Sequence, residues 1–95
     1  MTQDSNEALK WFQKAAVQGY VYAQFNLGGM YGNGQGVQQN NVAAYVWWNI
    51  AATNGHQKAK NNKSLVAKRM TAAQFTKAGE LVKEMVKKNP KLLNK

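Results

Sequence analysis

Residues 15–37 read AAVQGYVYAQFNLGGMYGNGQGV, from Ala15 to Val37. The stretch holds the end of one helix, a tight glycine turn, a second helix and a glycine-rich loop leading into a third. Gly19 is placed to end the first helix, because glycine enters the left-handed C′ conformation without strain. The chain then turns straight back from Val21 to about Tyr31. Ala23, Leu27, Met30 and Tyr31 fall at i, i+4, i+7 and i+8 and form a buried stripe. Gly28 and Gly29 each cost about 1 kcal/mol against Ala inside a helix. The offsetting gain expected is close approach of the neighbouring backbone. Tyr31, Gly34, Gly36 and Val37 are read as an ordered corner.

Working outward, the chain repeats this unit. A shift of 36 residues aligns Ala8 with Ala44, Trp11 with Trp47, Ala15 with Ala51 and Ala16 with Ala52. The same shift places Gly19 on Gly55, Ala23 on Ala59, Phe12 on Trp48 and Asp4 on Asn40. A period in the thirties is the length of one helical hairpin with its connections. The first helix is expected from about Ser5 to Gln18, with Asp4 as N-cap, Glu7 completing a capping-box-like pair, and Ala8, Trp11, Phe12, Ala15 and Ala16 on one face. Asn40 can cap a third helix, about Asn41 to Thr53, with Ala44, Trp47, Trp48, Ala51 and Ala52 inward. Gly55 closes it. A fourth, about Gln57 to Arg69, is weaker, since Lys63 stands where Leu27 stood. Thr71 and Gln74 form a capping box for a fifth, about Ala72 to Lys88, which buries Phe75, Ala78, Val82, Met85 and Val86. Asn89-Pro90 stops that helix, and the tail KLLNK is expected to fray. No strand pattern competes, so the fold class is all-α.

Composition sets limits. Ninety-five residues make one small domain. At 44% hydrophobic, with three Trp, four Tyr and three Phe, the chain is too rich for a disordered tail. Cysteine is absent, which removes disulfide and thiolate–metal readings. No apolar run approaches the roughly 18 residues of a membrane span. No signal peptide is visible, which favours the cytoplasm; removal of an upstream segment would leave the periplasm or secretion open. Residues 56–95 carry eleven Lys/Arg against Glu80 and Glu84, the whole of the net charge of +9. Such a half either contacts an anionic partner or is a solvated face that keeps the domain soluble.

The joint pattern of Ala23, Gln24, Leu27, Gly28, Tyr31, Gly34, Gly36 and Val37, then Ala44, Trp47, Ala51, Ala52 and Gly55, resembles the Sel1-like repeat, a relative of the tetratricopeptide repeat. On this resemblance residues 1–19 are the second helix of a truncated repeat and 20–55 a complete repeat. Residues 56–71 are a partial repeat helix, 72–88 a C-terminal capping helix and 89–95 a frayed basic tail. Asn40 replaces the usual acidic residue, and Lys63 departs from a full further repeat. The resemblance implies an α-hairpin solenoid, a right-handed superhelix with a concave face. It also implies an adaptor or scaffold that binds a partner protein or peptide and has no chemistry of its own.

The residues supply little for catalysis. Glu80 and Glu84 share a helix face but stand among lysines, as on an ordinary solvated face. His56 has no companion ligands and reads as a turn residue after Gly55. The Gly32–Gly36 loop lacks the strand and the Lys-Ser/Thr of a phosphate cradle. No cofactor and no metal are expected. Trp11, Trp47 and Trp48 read as core packing in register with the alanine pairs, rather than as ligand platforms.

Partner binding falls on Tyr22, Phe25, Asn26 and Gly29, which follow i, i+3, i+4 and i+7. The same slots one repeat later hold Lys58, Asn61, Asn62 and Leu65. An aromatic and amide surface with flanking lysines suits an extended peptide or an acidic segment. For Phe25, packing on a neighbouring helix stands equally open. The alternative function is nucleic-acid or anionic-membrane binding through Lys58, Lys60, Lys63, Lys68, Arg69, Lys77, Lys83, Lys87 and Lys88. The first helix is expected to leave Leu9 and Phe12 pointing away from its partner. A homodimer through that helix, or membership of a longer array, would follow.

Overall fold

The computed structural model describes residues 5–93, the side chain of Ser5 excepted. The elements are α1 (Ser5–Val17), α2 (Val21–Asn33), α3 (Asn41–Thr53), α4 (Gln57–Ala67), α5 (Ala72–Lys88) and a 3-10 turn at Pro90–Leu92. No strand occurs among the described residues. Asp4, expected to cap α1, lies outside them.

The helix ends follow local chemistry. Gly19 and Gly55 both take φ +98°. After each, the backbone closes the same pair of bonds: Tyr20 N–H to Ala15 O and Gly19 N–H to Ala16 O in one case, His56 N–H to Ala51 O and Gly55 N–H to Ala52 O in the other. This double closure satisfies carbonyls that a helix terminus would otherwise leave bare. Asn40 Oδ1 accepts the Ala43 N–H at 3.1 Å at the start of α3. Thr71 and Gln74 complete a reciprocal capping box at the start of α5. Helix α2 runs two residues past Tyr31 before Gly34 turns it at φ +72°. The corner is closed by the Asn40 N–H bonding Tyr31 O at 2.9 Å. Helix α4 stops at Ala67, and residues 68–70 form the turn to α5.

Helix α3 is the centre of the fold, packed against α2, α4 and α5. Ala44, Tyr45, Val46, Ile50 and Ala51 are all buried on it. Tyr45, Val46 and Ile50 lie outside the single inner face expected from the repeat, because α5 covers a second side. With Val66, Ala78 and Leu92 they make the larger core cluster. Ala16, Ala23 and Leu27 make the smaller one, and Trp47 packs against both. Fully burying a side chain such as Leu27 or Ile50 contributes about 1.5–3 kcal/mol.

Four expectations are corrected. Trp11 is 66% exposed, not core. Leu9 and Phe12 do not point away; they pack on the Ala16–Ala23–Leu27 cluster. Adjacent helix positions lie about 100° apart, so turning Phe12 toward α2 swings Trp11 outward. Phe75 is 48% exposed and meets Tyr45 edge-on at 5.4 Å rather than being buried. Gly29 has no atom near a would-be Cβ, so it makes no close approach, whereas Gly28 is pressed against the side chain of Trp48 rather than against backbone.

The chain end also departs from expectation. Residues 89–93 are docked, not frayed. Leu92 is 2% exposed. Its carbonyl accepts from Gln24 Nε2 and from Asn54 Nδ2, both at 2.9 Å. Gln24, fully buried, also donates to Ala16 O at 3.1 Å and accepts from Asn54 Nδ2 at 2.8 Å. Asn89 Nδ2 donates to Val17 O at 2.9 Å. A buried amide is stable only when so satisfied, and here the satisfaction ties both hairpins to the chain end.

Candidate functional site

An open groove of about 600 Å³ borders α2 and α4. Phe25, Asn26, Gly29 and Met30 line it from α2, and Asn62, Leu65 and Val66 from α4, with Arg69 in the turn beyond. Trp48 reaches it from α3 and Phe12 from α1, while Asn33, Gln35 and Asn41 lie at the corner end. No carboxylate is among these residues, and Arg69 is the one charged group.

The aromatic part is held in place. Trp48 Nε1 donates to Phe25 O at 3.1 Å, which anchors the indole. Gly28 makes room for it, since a Cβ there would stand 2.4 Å from the indole ring. The Phe25 ring stacks on His56, centroids 4.3 Å apart and planes 17° from parallel. His56 is therefore more than a turn residue. Its Nδ1 accepts the Ala59 N–H at 3.1 Å and caps α4, while its ring supports the groove. Phe25 thus packs on the N-cap residue of α4, and it also lines the groove.

Gln24, Asn40 and Asn89 are engaged in holding the fold. Asn26 and Asn62 are half-buried in the groove wall and make no side-chain hydrogen bond among the described residues. Among the described residues no side-chain nitrogen or oxygen sealed from solvent is left without a partner, so the unpaired amide atoms of these two groove-lining residues reach solvent.

Of the other residues marked by sequence, Tyr22 is 74% exposed and does not line the groove; its ring lies 6.2 Å from that of His56. Lys58 and Asn61 are exposed on α4 and do not line it. Lys77, Lys83, Lys87 and Lys88 are exposed on α5, apart from the groove. Lys77 shares a shallow depression with Glu80 and Glu84, and Glu84 and Lys88 stand 4.0 Å apart in an exposed pair. Among the described residues no three His, Cys, Asp or Glu side chains gather as a metal set, and no helix is long and apolar enough to cross a membrane. Sequence reasoning missed His56 and Trp48 as groove elements, because both act through contacts across the repeat.

Antiparallel helical hairpins stacked at a fixed period, with an open groove along their first helices, define a unit of an α-hairpin solenoid. The chain belongs to the Sel1 repeat family, whose model matches residues 1–20 and 21–56. It is similar to the chitin synthase regulator SKT5 of Saccharomyces cerevisiae, 41% identical over 59 residues, which are 62% of this chain and 8% of that protein. It also superimposes on the crystal structure of c5321, a protective antigen present in uropathogenic Escherichia coli strains and displaying an SLR fold. There the TM-score is 0.88 with 32% identity, over 99% of this chain and 21% of that one. The chain thus spans a small part of either protein's length. Sel1 repeats are generally protein-interaction scaffolds without catalytic activity.

Proposed function

We propose that this Sel1 repeat unit holds an extended segment of a partner protein in the groove between α2 and α4 and performs no catalysis. The observation that carries the reading is the pair Asn26 and Asn62. Both are half-buried, neither makes a side-chain hydrogen bond within the described fold, and both stand beside an immobilised aromatic surface. A carboxamide presents one donor edge and one acceptor edge, as a peptide group does. Phe25 and Trp48 supply the apolar contact area around which binding energy concentrates. Asn26 lines the groove from α2 and Asn62 from α4, so a strand of partner backbone lying between the two helices would meet both.

Self-association through α1 belongs to the same proposal in altered form. Its exposed apolar groups are Trp11 and Val17, not Leu9 and Phe12. A second copy covering them would leave the groove free.

The test is selection of random nonapeptides displayed on phage against the immobilised chain. Selected peptides are expected to lose binding to the double variant Phe25→Ala with Asn62→Ala, whose helicity by circular dichroism stays unchanged. Retained binding that disappears on charge reversal of Lys83, Lys87 and Lys88 would replace this reading with the basic surface.

A further inference from the structure

The groove carries a finer signature. Along α4 and its exit, Asn62, Leu65 and Arg69 follow one another on one side, an amide, an apolar group and a cation. Leu65 is 59% exposed, a large apolar side chain left open beside Phe25 and Trp48. Arg69 is exposed, and among the described residues it makes no ion pair or side-chain hydrogen bond. Among the described residues no carboxylate borders the groove to neutralise it.

From these observations we infer that the segment held in the groove carries an acidic side chain, paired with Arg69, within three residues of an apolar side chain seated at Leu65. The inference rests on the peptide reading above. Helical rise carries α4 about 7.5 Å along its axis from Asn62 to its end at Ala67, and Arg69, two residues into the turn, extends the run to about 10 Å. An extended chain covers that distance in about three residues at roughly 3.3 Å each. Asn62 thus meets partner backbone, Leu65 and the Phe25–Trp48 surface meet an apolar side chain, and Arg69 meets the carboxylate. A guanidinium takes a carboxylate through two parallel N–H···O bonds, so geometry as well as charge selects the acid. An amide and apolar wall with a single cation discriminates against basic segments by leaving like charges facing each other.

Peptides displayed with their C-termini fused to the phage coat protein offer only side-chain carboxylates, which isolates the source named here. Wild-type protein is expected to enrich Asp or Glu within three positions of an apolar residue. Arg69→Glu is expected to enrich Lys or Arg at that position instead, and Arg69→Gln to weaken a selected acidic peptide about tenfold. Arg69 is exposed and outside the core, so both variants keep the fold, checked by circular dichroism. Peptides that depend on Phe25 and Asn62 but show no acidic preference and no reversal would overturn this inference and leave the groove reading standing. Binding only of synthetic peptides with a free C-terminal carboxylate would overturn it too. Failure to select any groove-dependent peptide would overturn both.

Discussion

The indole of Trp48 occupies the space that a side chain at Gly28 would need. A Cβ built there lies 2.4 Å from Cδ1 and Nε1 of the ring, while one built on the next residue, Gly29, meets nothing within 4 Å. Two adjacent glycines in one helix therefore answer alanine with opposite signs. Gly29→Ala gains helix propensity without collision and is expected to stabilise the chain by about 0.5–1 kcal/mol. Gly28→Ala gains the same propensity but displaces Trp48 and its bond to Phe25 O; overpacking of about 1–3 kcal/mol should outweigh the gain. Urea melts of both variants check this. In a Trp48→Ala background Gly28→Ala should turn neutral or stabilising, and a cost that persists there would mean the indole is not the cause.

The joint held by Gln24, Asn54 and Leu92 spans 68 residues of sequence. Leu92→Ala removes a fully buried side chain and is expected to cost about 2–5 kcal/mol. Gln24→Leu keeps the volume but strips a donor from Leu92 O and the acceptor from Asn54; about 1–3 kcal/mol is the scale for such a loss. Removal of residues 89–95 should cost at least as much as Leu92→Ala. A truncated chain that melts with wild-type midpoint and slope would show that the docked turn adds no stability.

Local rules made much of this fold legible. Gly19 and Gly55 end helices with the same φ, and Asn40 and Thr71 cap helices where their positions predicted. These features depend on a few adjacent residues. Periodicity marks a broad apolar arc without saying which half has a partner, so it does not tell Trp11 from Phe12. In α3, covered on several sides, both Trp47 and Trp48 are half-buried. In α1, packed mainly on α2, Phe12 turns in and its neighbour turns out. Leu92 and His56 were illegible for a related reason, since their partners Gln24 and Phe25 lie far off in sequence. Asn26 and Asn62 both line one groove, as slots 36 residues apart occupy equivalent places in stacked hairpins.

Trp11 and Trp48 should separate cleanly in stability. Trp11 is 66% exposed, with Lys14 Nζ 5.8 Å from its ring. Trp11→Ala is expected to change stability by less than about 0.5 kcal/mol, as at surface positions generally. Trp48→Ala removes a large ring from the junction of α2 and α3 and should cost about 3–5 kcal/mol. Comparable losses from the two variants would mean that α1 is turned differently, with Trp11 inside.

His56 joins a cap and a stack in one side chain, so substitutions can take them apart. His56→Asn keeps a cap acceptor for the Ala59 N–H and loses the ring against Phe25. His56→Ala loses both. The alanine variant is expected to be less stable than the asparagine variant by about 1 kcal/mol, the usual worth of an N-cap. Equal stabilities would remove the cap from the account and leave only the stack.

The groove and the basic face of α5 should also part under salt. Lys83, Lys87 and Lys88 are exposed on α5, and none lines the groove. Their joint change to glutamate removes an exposed pair with Glu84, 4.0 Å apart, which contributes little at the surface. Binding of a groove-selected peptide is therefore expected to change by less than about twofold in the triple variant. Raising salt from 50 to 200 mM should weaken it by no more than about fourfold, because a single ion pair is only screened. A nucleic-acid site with many phosphate contacts would lose about 10³–10⁵ over the same range by counterion release. Fluorescence anisotropy with labelled peptide, set beside a labelled single-stranded oligonucleotide, measures both. Tight, steeply salt-dependent oligonucleotide binding that disappears in the triple variant, with peptide binding absent throughout, would move the function of this chain from the groove to α5.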